Sequence, residues 1–223
     1  MSRTITAGLV LSLALFATGC HDSSQETSVL HESGAPLKPV VTVVPVIDST
    51  KHDLSWNLSD ELTNAIDYRL ETNDNVYLVE PAKTRASIRK LKETYNPFAM
   101  DTSWVKKTFN NEEFVVFLEL IDHEEVLRQD KKNLADPQHC SADLNMSMRV
   151  RVFDLRGDQP HVILQELVRH THFVPRQFTQ VNFYQASWGE ESFSISPIGL
   201  AHAEFIEEIA ERIEDYILLA SNS

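Results

Sequence analysis

From residue 39 to 47 the chain reads Pro39-Val40-Val41-Thr42-Val43-Val44-Pro45-Val46-Ile47, β-branched at both alternating phases, which predicts a central strand covered on both faces. Pro45 cannot donate to a ladder, so it belongs at a bulge or at the strand's end. Apolar residues then recur at helical spacing, Leu58, Leu62, Ala65, Ile66 and Leu70, behind Ser55 as N-cap and with Asp60 and Glu61 in the first half. Residues 76–79 are a short buried strand. Residues 84–93 form a second helix with Ile88 and Leu91 inward and Arg85, Arg89 and Lys92 outward. Residues 114–121 are a third strong strand. Met146, Met148, Val150 and Val152 share one strand face, opposite Ser147, Arg149 and Arg151, and residues 162–174 return antiparallel after a Gly157-Asp158 turn. Ser196 caps a last helix with Pro197 at its first position. Its inward stripe is Ala201, Phe205, Ile209, Ile213 and Ile217, and its outer face, with Glu204, Glu207, Glu208, Glu211 and Glu214, reads as solvated. The order β-α-β-α-β-β-β-α predicts an α/β to α+β fold, a mixed sheet of about five strands with helices packed on it.

The first twenty residues follow a different pattern. Met1-Ser2-Arg3 is a basic opening, an apolar run of roughly 12 residues reaches Phe16, and Ala17-Thr18-Gly19-Cys20 closes the segment. The run is too short for a membrane span, which needs ~20 residues. This arrangement resembles the precursors of bacterial lipoproteins, with Ala17 standing where they most often carry Leu. The resemblance implies cleavage between Gly19 and Cys20, a diacylglycerol thioether on Cys20, and an N-acyl (palmitate) chain on the freed amine. Each buried CH₂ contributes about 0.8 kcal/mol, so two or three chains anchor where one is marginal. In such lipoproteins Asp directly after the cysteine retains the protein in the inner membrane. Here His21 takes that place and Asp22 follows, which points to an outer membrane, facing the periplasm. Residues 1–19 are then a removed signal, residues 20–38 a lipidated Ser/Glu-rich tether, and residues 39–223 a single domain. The tether's r.m.s. reach is roughly 20–25 Å.

Charge and cysteine count narrow the function. The chain carries 20 Lys+Arg against 33 Asp+Glu, and loss of Arg3 with the signal leaves a net −14. A body so acidic excludes nucleic acid as partner and is repelled by anionic headgroups, so membrane contact runs through the Cys20 lipid. Only Cys20 and Cys140 are present, so a lipidated Cys20 leaves no internal disulfide; Cys140 is buried or a lone thiol, burial being the commoner state of a free cysteine.

Chemistry-bearing motifs are sparse. The glycines of the mature chain, Gly34, Gly157, Gly189 and Gly199, are too scattered for a phosphate-binding loop, so no nucleotide is expected. There is no G-x-S-x-G elbow, and His123-Glu124-Glu125 lacks the second His of a zincin helix. Arg156-Gly157-Asp158 is explained by turn chemistry. His170-Thr171-His172 puts two imidazoles on one strand face, and His139 and Cys140 are candidate further zinc ligands, although exposed alternate histidines are common without a metal. The aromatic segment around Phe183, Tyr184, Trp188 and Phe193 is either a partner-binding hot spot or a loop folded over the core. Tyr95, Phe98 and Trp104 read as a plug at one end of the sheet.

The element order and the VVTVVPVID opening make the body similar in pattern to the TolB amino-terminal domain, CsgG-like lipoproteins and LpoB-type penicillin-binding-protein activators. That resemblance implies an envelope domain, without cofactor or active site, that docks on another protein. The alternatives are an envelope metal-binding module or enzyme built on His139, Cys140, His170 and His172, and a structural surface lipoprotein.

Overall fold

The computed structural model describes residues 38–50, 54–91, 95–128, 140–175 and 187–222. One strand position is shared by two short strands, β1 (Val40–Val43) and β2 (Ile47–Asp48), both parallel to β4 (Phe114–Leu127). Val43 pairs with Val116 and Ile47 with Glu119, so one extra residue is accommodated around Pro45, as its missing N–H requires. Helix α1 (Leu58–Asn73) satisfies the backbone freed there: Val46 N donates to Thr63 Oγ1 at 2.9 Å, and Ser59 Oγ donates to Val46 O at 2.5 Å.

The remaining elements are β3 (Tyr77–Leu78), α2 (Pro81–Ile88), α3 (Ser103–Thr108), β5 (Ala142–Asp154), β6 (His161–Val174), α4 (Glu191–Ser194) and α5 (Pro197–Ser221). The sheet order is β3-β1-β4-β5-β6, parallel between β3, β1 and β4 and antiparallel from β4 through β6. This is the mixed α+β sheet expected, with β1 inside it.

Helices α1 and α5 cover one face over the larger core, where Val41, Phe114, Leu118, Met148, Val150 and Ile66 are fully buried. The whole α5 stripe, Ala201, Phe205, Ile209, Ile213 and Ile217, is at 0 % exposure. Each large side chain there contributes about 1.5–3 kcal/mol, against about 0.3–0.5 for an exposed pair such as Glu208–Arg212. The apolar stripe, not the charged face, therefore holds α5 down. On the opposite sheet face, among the described residues, a smaller aromatic core covers one end, where Phe117 meets Trp104, Phe109 and Phe153 edge-on. Tyr95 stacks on Trp104 with centroids 5.0 Å apart, so this segment does plug the sheet.

Local expectations need several corrections. The strand at 76–79 is the two-residue edge strand β3, with Tyr77 exposed, and α2 ends at Ile88, well before residue 93. Asn57, not Ser55, caps α1, its Oδ1 accepting from Asp60 N at 3.2 Å. Helix α2 begins earlier than residue 84 because Pro81 suits a first helical position. Helix α3, six residues long, is too short to show a period. Glu214 is not on a solvated face: it is buried and accepts from Asn73 Nδ2 at 2.6 Å and from Asn75 Nδ2. The turn reading of Arg156-Gly157-Asp158 agrees with Arg156 being clamped to Asp154 and to Ala220 O. Burial alone would raise the Asp154 carboxyl; hydrogen bonds and charge from Arg156 outweigh it and hold it below its ordinary value.

Candidate functional site

At one end of the sheet three buried polar side chains join α1, α5 and β4. Glu61 Oε2 accepts from Trp56 Nε1 at 2.6 Å, and Glu61 Oε1 lies 2.6 Å from His202 Nδ1. The other ring nitrogen of His202, Nε2, is 2.8 Å from His123 Nε2. Glu61, His202 and His123 are 2, 1 and 4 % exposed, so each contact replaces water that cannot reach it. Of two ring nitrogens at that distance one donates and the other accepts, so the tautomers of His202 and His123 are tied to each other.

The close packing of α4 on α5 covers this network. A Cβ at position 199 would collide with the Phe193 carbonyl, so only glycine allows the approach. Ser196 Oγ donates to that carbonyl at 2.7 Å and accepts from Gly199 N at 3.0 Å. Phe193 thereby lies edge-on to His202 with centroids 5.8 Å apart, and Trp56 lies edge-on to Phe193 at 5.4 Å.

A second cluster lies on the β6 side of α5. A bulge between Leu120 and Asp122 shifts the register of β4, so that His123 opposes Met146 and Met146 opposes His170 across β5. Met146 thus stands between the two clusters. His172 opposes Leu144 on the same face. The rings of His170 and His172 stack at 6.4 Å and 20°. Glu204 Oε2, from α5, lies 3.1 Å from His172 Nδ1 and 3.4 Å from His170 Nε2. Glu208 Oε2 is 3.9 Å from His170 Nδ1. Glu125, across from Leu144, has its carboxyl pushed up by burial.

The residues singled out in the sequence fare differently. Gly19, Cys20, His139, Phe183 and Tyr184 lie outside the described residues. Trp188 is exposed, whereas Phe193 is buried beneath Trp56 and does not offer its ring to a partner. His170 and His172 do share a face, but Cys140 is buried two residues before β5 begins and is not among the donors that come together with them. The cluster that forms recruits Glu204 and not Cys140. Sequence reading missed Glu61, His202 and His123. The first two carried a signal, a polar residue on an apolar helical stripe: Glu61 beside Leu58 and Leu62, His202 beside Phe205 and Ile206. His123 carried none, since its facing depends on the bulge.

A mixed sheet with α1 and α5 on one face and a partial aromatic cover on the other defines the structural class. Residues 27–221 match the model of DUF7499, a family of unknown function, and the chain belongs to that family. No curated protein matches the chain. Among solved structures it is similar to the hypothetical protein CT253 from Chlamydia trachomatis, at 26 % identity over 81 % of this chain and 98 % of that one, with a TM-score of 0.62. Lipoprotein GNA1162 from Neisseria meningitidis matches at 10 % identity, 78 and 99 % coverage and a TM-score of 0.41. The LpoB C-terminal domain from Salmonella enterica matches at 13 %, 62 and 86 %, and 0.36. Among the described residues, no helix is long and apolar enough to cross a membrane.

Proposed function

We propose that this protein is a lipid-anchored envelope lipoprotein whose domain docks on an envelope protein and performs no chemistry of its own. The observation that carries the reading is the N-terminal order of basic opening, short apolar run and Ala17-Thr18-Gly19-Cys20. Acyl chains on Cys20 hold the protein in its membrane, the outer membrane facing the periplasm, and the residues up to Lys38 let the domain stand clear of the headgroups. The docking face includes the exposed Trp188, and the chain that leads from it into α5 also exposes Ile195 and Leu200. A large ring with a polar edge, set in polar company, suits an interface anchor.

Intact mass spectrometry on protein extracted from its own membranes should give residues 20–223 plus acyl chains; an unmodified full-length chain refutes the anchor. In crosslinked envelopes, Trp188→Ala should recover several-fold less of the partner that the wild type captures. Equal recovery removes Trp188 from the docking face.

A further inference from the structure

We propose that His170, His172 and Glu204 form a binding site for one divalent transition-metal ion, zinc foremost. The site goes beyond the docking function and is independent of the lipid anchor.

Three donor atoms, one from each residue, lie within 4.8 Å of one another. In a tetrahedral zinc site with bonds of ~2.0 Å, neighbouring donors stand about 3.3 Å apart. The Glu204 oxygen already meets that spacing toward both rings, at 3.1 and 3.4 Å. An ion would therefore need only a small convergence of the two imidazoles, whose stacked rings project from adjacent same-face positions of a long, paired strand. Rigid support of this kind is what a metal site requires of its scaffold.

His170 Nε2 supplies the second argument. It is covered from solvent and finds no hydrogen-bond partner among the described residues. Of these only the Glu204 carboxylate, at 3.4 Å and without hydrogen-bond geometry, faces it, and coordination would give this atom the partner it lacks. Its other nitrogen faces Glu208, whose Oε1 is held by Arg212 Nη2 at 2.8 Å while Arg212 Nη1 holds Glu166 at 2.7 Å. A carboxylate that accepts from the distal nitrogen of a ligating histidine is the usual outer support of a metal site; Glu208, at 3.9 Å and held by Arg212, would have to close by about 1 Å to fill that role.

Two imidazoles and one carboxylate select borderline first-row ions and disfavour magnesium and calcium, which take oxygen. Three protein ligands leave a fourth position to water, and Glu204, 57 % exposed, keeps that side open to solvent. The acidic surface favours a cation.

Titration of the metal-stripped full chain in detergent with zinc chloride, read by calorimetry, tests the site. One equivalent should bind with a dissociation constant near or below about 10 μM, and zinc should raise the melting temperature. Glu204→Gln and His172→Ala should each weaken binding by at least about tenfold with unchanged far-UV dichroism. Glu204→Gln, an exposed and nearly isosteric change, keeps the test valid if a histidine variant folds poorly. Cobalt should give the visible absorption of a tetrahedral site in the wild type and lose it in Glu204→Gln. Absence of saturable heat up to about 100 μM zinc overturns the proposal. So does heat that survives in both variants, which would put the ion elsewhere in the chain.

Discussion

Asp67 is a carboxyl poorly matched to its surroundings. Its Oδ1 is buried without a hydrogen bond among the described residues. Burial first, then the charge of Glu71 one turn on, push it up from 3.8 to about 6, and Arg85 pulls weakly the other way. The folded state therefore binds this proton more tightly than the unfolded chain. The stability it contributes is complete below about pH 4 and is lost as the pH rises through 6. Asp67→Asn should thus be more stable than wild type at neutral pH, by about 1–2 kcal/mol once solvent screening is allowed for, with the gain vanishing near pH 4. Urea midpoints measured at both pH values check this; an equal gain at both would mean that the charge is not the cause. The sequence did not reveal Asp67 or Glu214, because each sits beside an apolar helical stripe and only the neighbouring elements decide whether its carboxyl is covered.

At the scale of elements, the Trp56–Glu61–His202–His123 network pins the start of α1 to the start of α5 and to β4 past its bulge. Its polar groups are buried, so removing His202 takes from Glu61 Oε1 its partner, which costs more than the net worth of a hydrogen bond. His202→Ala should lower stability by about 2–4 kcal/mol, from the orphaned Glu61 oxygen and the cavity under Phe193 together. Equilibrium unfolding followed by dichroism gives the number. A loss under about 1 kcal/mol would mean that the apolar contacts of Phe205 and Ile209 position α5 by themselves. Elements with a strong period were legible: β1, β5, β6 and α5 follow from alternation or from a clean apolar stripe. Helix α3 and the true cap of α1 were not, because a six-residue helix has no period and several polar residues before Leu58 could serve as cap.

For the whole molecule, a net charge of −13, or −14 if the proposed signal is removed, sets how it can meet a bilayer. An acidic body gains nothing from anionic lipid, so the proposed lipid on Cys20 would have to carry the attachment. The protein should stay in the membrane fraction through a wash at about 1 M salt, where the Debye length is about 3 Å and charge-held proteins are released. Cys20→Ala should move it to the soluble fraction. Release of the wild type by salt would point to a charged contact in place of the lipid.

The sequence by itself determined the order of the long strands and of α1, α2 and α5, the hairpin of β5 and β6, the break in the ladder around Pro45 and the buried stripe of α5. Each of these is a local property of spacing, residue type or missing N–H groups. Only the tertiary structure decided which polar groups meet. Glu61 and His202 are 141 residues apart and His123 and His202 are 79 apart, while Glu204 reaches His172 from 32 residues away. No periodicity encodes such distances. The bulge at Leu120 and Asp122 also turned His123 inward, since a one-residue shift moves every following side chain to the other face. His170 and His172 were visible as a pair from their spacing, and the packing of α5 on β6 supplied Glu204 in place of Cys140.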